Sequence, residues 1–257
     1  MLKAVWLERA LITSALLLLW SPAFACAPDQ IDETADVAWI YDGDTLRLKD
    51  GRKLRLIGIN APEMAQGKEK DEPSAQAATQ ALIHIIDASE REIGIRYGEE
   101  RHDRYGRLLA HIYSDQGKNI AAQMIRQGYG AAITVPPNSR NANCYFQAEQ
   151  EARTRGLGIW KDLILGPIES TELPRDSEGF HIVTGKVVRI GNSRRATWIN
   201  LSGDVALRVD HADKVYFPEQ DFAILQGKHI EARGWIYIHK GQLRMRIRHP
   251  RSMVLIE

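Results

Sequence analysis

Cysteine is almost missing from this chain: Cys26 and Cys144 are the two it has in 257 residues. With so few thiols, and no His or Cys cluster at ligand spacing, a zinc site is excluded. Charge of one sign is missing too, since 34 Lys and Arg face 33 Asp and Glu for a net charge of +1. Such a balance exerts little long-range pull on a polyanion, so any surface for one has to be basic locally. The N-terminal apolar run, 11–20, is interrupted by Thr13 and Ser14. It falls short of the roughly 20 residues needed to span a bilayer. No nucleophile with a supporting base stands out either. The length suits one large or two small soluble domains.

The same N-terminal run has the form of a cleaved export signal. Lys3 and Arg9 flank it with positive charge, and Ala23-Phe24-Ala25 offers small residues where a signal peptidase reads. Residues 1–25 are therefore expected to be removed, leaving a periplasmic or secreted chain that begins at Cys26 and carries no transmembrane segment. Two cysteines in an oxidising compartment predict a Cys26–Cys144 disulfide. The alternative is a lipid anchor on Cys26. Against it, Ala23 stands where a lipobox normally carries leucine, and Cys144 would be left as a free thiol.

Charge is unevenly placed. Residues 178–257 carry 13 basic and 8 acidic side chains, whereas 26–177 carry 19 and 24. The change falls at 162–179, where Gly166-Pro167, Pro174 and a run of Asp, Ser and Glu read as a linker. The expected division is a first domain at 26–161, the linker, and a second domain at 180–257. In the first, apolar spacing predicts helices over 74–88, 119–127 and 145–155, with strands at 92–97 and 108–113. In the second, short β-rich runs at 181–190, 198–201, 205–209, 228–238, 243–247 and 253–256 predict a small OB-like barrel.

Chemistry concentrates between Asp42 and Glu63, which read DGDTLRLKDGRKLRLIGINAPE. Asp50-Gly51 is a hairpin turn signal, and the flanking leucines alternate with Arg47 and Arg55. Acids at Asp44 and Glu63 with a guanidinium at Arg55 are what a site needs to hold a divalent metal and a phosphate together. A second segment, His102-Asp103-Arg104-Tyr105-Gly106-Arg107, supplies another arginine ahead of a strand.

With Ala61-Pro62-Glu63, Arg126-Gln127-Gly128 and Gly156-Leu157-Gly158-Ile159-Trp160, these motifs resemble the staphylococcal nuclease (thermonuclease) family over about 37–160. The resemblance implies a mainly β, α+β fold: a five-stranded OB-type barrel with three helices, here followed by the second β domain. It also implies a Ca2+-dependent phosphodiesterase acting on DNA and RNA, leaving a 3′-phosphate and a 5′-hydroxyl. Asp44 matches the calcium aspartate, Glu63 the glutamate that handles the attacking water, and Arg55 and Arg107 the pair that grips the scissile phosphate. Another divalent metal could replace Ca2+, and the protein is expected to be a monomer.

Two departures from the family pattern stand out. The second calcium aspartate is here Asn60, which can offer a carbonyl oxygen but no charge, so metal binding is expected to be weaker. The tyrosine-bearing loop against the nucleotide is here the aromatic-free 131–138, leaving Tyr105 as a candidate substrate contact. In the second domain Arg244, Arg246, Arg248 and Arg251 recur near two-residue spacing after Trp235 and Tyr237, which suggests a nucleic-acid surface on Arg244 and Arg246. The histidines show no metal spacing and are expected at the surface. Two functions remain: an exported nuclease, or a catalytically weak module on the same barrel that binds nucleic acid or protein.

Overall fold

The computed structural model describes residues 26–65, 70–161, 166–217 and 221–256. The expected export signal, and part of the expected linker, lie outside them. Among the described residues no helix is long and apolar enough to cross a membrane.

In the first half, β1 (Glu33–Ile40), β2 (Thr45–Leu48), β3 (Lys53–Leu56) and the short β4 (Ile59–Asn60) are followed by α1 (Ala75–Asp87). Then come β5 (Glu92–His102), β6 (Leu108–Tyr113), α2 (Ile120–Arg126), β7 (Ala131–Ala132) and α3 (Ala142–Thr154). Five of these strands close a barrel in the order β1-β2-β3-β6-β5, with β3 and β6 parallel. The alternation read from the sequence explains the closure: Leu46, Leu48, Leu54 and Leu56 are buried inside while Arg47 and Lys53 stay outside. The three helices pack around this core.

The second half contains β8 (Ile168–Glu169), β9 (Gly179–Asn192), β10 (Ala196–Leu201), β11 (Val205–Asp210), β12 (His229–His239), β13 (Gln242–Arg246) and β14 (Met253–Ile256). Here β9-β10-β11-β13-β12 closes on itself through the β12–β9 pairing, and β11 and β13 are parallel. The two barrels therefore share one connectivity. Where α1 links the third and fourth strands of the first, single 3-10 turns at His211–Tyr216 and Phe222–Leu225 serve in the second. The fold is mainly β with a few helices, as the sequence suggested.

Three local features differ from the sequence reading. The segment expected as linker is partly built into the second barrel: β8 pairs in parallel with β9, and Leu173 lies in its core. A two-residue strand has no periodicity to detect. β5 runs on to His102, because Asn138 holds the main chain of Glu100 at both N and O (2.9 Å each) where the apolar alternation has already stopped. His111 is buried, 1 % exposed, with Nδ1 2.6 Å from the Tyr145 hydroxyl.

The glycines of the two family-like motifs meet each other. Gly128 (φ 80°) and Gly158 (φ 53°) stand so close that a Cβ on either would sit 2.2 or 2.1 Å from the other segment's backbone. Ile159 N–H donates to Gly128 O across this contact at 2.9 Å. The expected disulfide is present, tying Cys26 to Cys144 on α3 across a Cα separation of 5.8 Å.

An ion cluster fastens the barrels together. Arg233 on β12 donates to Glu149 Oε2 at 2.7 Å and to the Ala132 carbonyl at 3.0 Å, while Arg153 bridges Glu149 (2.9 Å) and Glu231 (2.8 Å). Trp160, Ile159, Ala131, Ala152 and Ile182 pack beside it. Arg233→Ala is expected to destabilise the protein by about 3–5 kcal/mol, since it strands a buried carboxylate. Urea unfolding checks this, and a loss below about 1 kcal/mol would mean the cluster adds little. Burial also pushes the His111 imidazole down to about 4 from 6.5. The unfolded chain then binds the proton more tightly, so stability rises with pH between about 4 and 6.5 and falls as the pH drops through that window. His111→Gln is expected to flatten a plot of unfolding midpoint against pH over that range.

Candidate active site

The connection from β1 to β2 is only Tyr41-Asp42-Gly43-Asp44, and its tightness places the acids. Asp44 N–H donates to Asp42 Oδ1 at 3.0 Å, and Tyr41 N–H to the Thr45 carbonyl at 2.9 Å. Gly43 is pressed against the Ala61 and Ala78 methyls, where a Cβ would lie 2.7 Å from each. Asp44 is thereby buried. Its Oδ2 accepts from Ala61 N–H at 2.7 Å and forms an ion pair with Arg55 Nη2 at 2.9 Å, and its Oδ1 accepts from the Thr45 hydroxyl at 3.0 Å. Arg55 is fixed in turn, donating from Nη1 to the Leu56 and Ile59 carbonyls at 2.9 Å each.

Carboxylate oxygens of Asp42, Asp44 and Glu63 lie within 4.8 Å of one another. Burial pushes the Asp44 carboxyl up, against the pull of Arg55, and the Asp42 charge adds to the push. Glu63 is also raised, by loss of solvent and by Asp42, with Arg55 and Arg107 opposing. Three crowded carboxyls with too little positive charge among them are a donor set suited to a hard divalent cation. The residues present thus fit a metal.

Sequence reasoning took Asp42 as the start of the chemistry-bearing segment without giving it a ligand role. The two-residue spacing of Asp42 and Asp44 on a turn was the available signal. Asn60 sits on β4, paired with Ala131 and immediately before the Ala61 amide that binds Asp44. It makes no side-chain hydrogen bond among the described residues.

Arg107 arrives from the β5–β6 turn. Asp103 organises that turn, accepting from the Tyr105 and Arg107 amides at 2.9 and 3.0 Å and from Arg107 Nε at 2.6 Å. The terminal nitrogens of Arg107 have no hydrogen-bond partner among the described residues, and its charge acts on Glu63. Tyr105 is 68 % exposed, with the Arg104 and Arg107 guanidiniums 4.7 and 5.5 Å from its ring centroid. The site therefore gathers Asp44, Glu63, Arg55 and Arg107, with Tyr105 at its rim.

The basic row of the second barrel is less available than its spacing suggested. Arg246 is held by Asp210 (2.9 Å) and Asp213 (2.7 Å), and Arg251 reaches Asn143 at 2.9 Å. Arg244 lies over the Trp198 ring at 4.7 Å.

A closed five-stranded barrel carrying this acid and arginine constellation defines a phosphodiester-cleaving class of hydrolase. The family described as "Staphylococcal nuclease homologue" matches residues 53–162. The chain is 30% identical over 126 residues to the thermonuclease of Staphylococcus intermedius, covering 48% of this chain and 73% of that one. It is 30% identical over 165 residues to the micrococcal nuclease of Shigella flexneri, covering 60% and 85%. Against the endonuclease YncB of Bacillus subtilis it is 28% identical over 123 residues, spanning 57% of that relative's length. The chain belongs to the staphylococcal nuclease family, and it is a hydrolase of the nuclease type.

Calorimetric titration with Ca2+ tests the acid cluster. Asp42→Asn is expected to weaken binding by about 10–100-fold, the range for loss of a supporting carboxylate. An unaltered affinity would remove Asp42 from the metal shell.

Proposed function

We propose that this protein is an exported, Ca2+-dependent nuclease that hydrolyses phosphodiester bonds in both DNA and RNA. The observation that carries the reading is the convergence of three carboxylates and two oriented arginines at one rim of the first barrel. Asp42, Asp44 and Glu63 would hold the cation, with Asn60 or a neighbouring backbone carbonyl as an uncharged oxygen donor. When bound, Ca2+ supplies neutralising charge at the phosphate oxygens.

The chain's own groups do the rest. Arg107, anchored through Nε, turns its terminal nitrogens to the scissile phosphate, and Arg55, whose Nη2 already pairs with Asp44, adds positive charge beside the same oxygens. Glu63 takes a proton from, or positions, the attacking water. Cleavage leaves a 3′-phosphate and a 5′-hydroxyl. Tyr105 borders the bound nucleotide. Residues 26–161 form the catalytic unit, and 180–257, following the 162–179 connection, assist capture through Arg244 and Trp198. Removal of 1–25 delivers the chain to an oxidising compartment, with which the Cys26–Cys144 disulfide agrees. The uncharged Asn60 and the aromatic-free loop 131–138 are the observations favouring the second reading, a module that binds nucleic acid or protein with little or no cleavage.

Digestion of single-stranded DNA and RNA, with Ca2+ and with a chelator, separates the two. Metal-dependent cleavage is expected, with Glu63→Gln losing most turnover while keeping its fold. Arg107→Ala is expected to slow cleavage by about 10²–10³-fold, as for loss of one charge-stabilising donor. Arg55→Ala is a poorer probe, because it also strips Asp44 of its counter-charge. Binding without cleavage under any divalent metal would favour the non-catalytic module.

A further inference from the structure

The outer face of the first barrel continues past the site, and its composition changes there. Register places Tyr41 opposite Thr45, and Thr45 opposite Arg55. The next row along the same face is Trp39, Arg47 and Lys53. Trp39 is 57 % exposed and Tyr41 37 %. They alternate with buried Ile40, so the backbone itself turns both rings outward. Lys53 Nζ lies 4.3 Å from the Tyr41 ring centroid, and neither Arg47 nor Lys53 has an acidic partner among the described residues. No described side chain stacks on Trp39.

An open Trp39 ring, a Tyr41 ring with Lys53 over one face, and two cations without acidic partners give what a single-stranded polynucleotide track requires: stacking for bases and positive charge for the phosphates. The track is continuous with the site. Tyr41 adjoins Asp42 in sequence, and two strand spacings, about 10 Å, separate it from Arg55. We infer that Trp39, Tyr41, Arg47 and Lys53 bind the nucleotides flanking the scissile phosphate, making this enzyme selective for single-stranded chains over short phosphodiesters. The inference rests on the nuclease reading and deepens it. Because every base presents a π-face, the track is indifferent to sequence and to the sugar.

The test compares two substrates with the same purified protein in Ca2+: a 16-nucleotide oligothymidylate and a nitrophenyl ester of thymidine phosphate. Trp39→Ala is expected to lower the kcat/KM ratio of oligonucleotide to ester about tenfold, mainly through KM, with Trp39→Phe restoring most of it. Arg47→Ala is expected to lessen the salt slope of log KM for the oligonucleotide by about 0.7. An unchanged ratio in a folded Trp39→Ala protein, or a parallel fall on both substrates, overturns the track while leaving the nuclease reading intact. No cleavage of either substrate by the unsubstituted protein overturns both.

Discussion

The ion pair between Asp44 and Arg55 is the constraint on which the geometry of the first barrel's acid cluster depends. A buried carboxylate is tolerated only when it is hydrogen-bonded and matched by charge. Asp44 meets both conditions by drawing together three separate pieces of chain: its own turn, Arg55 on β3, and the Ala61 amide beyond β4. Arg55 then reaches the Ile59 carbonyl, so the loop leading to Glu63 is fixed by the same pair. The acids are thus held by main-chain contacts before any ligand arrives, leaving little to reorganise during catalysis.

The two barrels use one connectivity for different ends. In the first, the site gathers three carboxylates beside Arg55 and an Arg107 whose terminal nitrogens have no hydrogen-bond partner among the described residues. In the second, the corresponding arginines are neutralised at home: Arg208 by Asp210, and Arg246 by Asp210 and Asp213. Arg233, its most buried cation, is turned toward the neighbouring barrel rather than toward solvent. Sharing a fold therefore carries no implication of sharing a site.

What was legible in the sequence follows the range of the interactions. The hairpin around Asp50-Gly51 and the outward-facing Arg47 follow from alternation, and Asp44, Glu63, Arg55 and Arg107 from spaced motifs. Asp42 was visible but unassigned, because a turn aspartate and a ligand aspartate read alike until the opposing strand is placed. The pairing of Arg246 with Asp210 and Asp213 joins residues more than thirty positions apart, so the spacing of arginines could not disclose that their charge was spent. His111 was expected outside because a lone histidine carries no pattern. Only the fold reveals the Tyr145 hydroxyl that receives it.

The seam between the barrels leads directly to the site. Arg233 bonds the Ala132 carbonyl, Ala132 pairs with Ile59, and the Ile59 carbonyl holds Arg55 against Asp44. The outer links are hydrogen bonds and the middle one a strand pairing, and together they set the second barrel behind the first as a keystone sits behind an arch. Without the second barrel, Glu149 would lose its Arg233 partner and the Ala132 carbonyl its donor, one strand pairing away from the segment that holds Arg55.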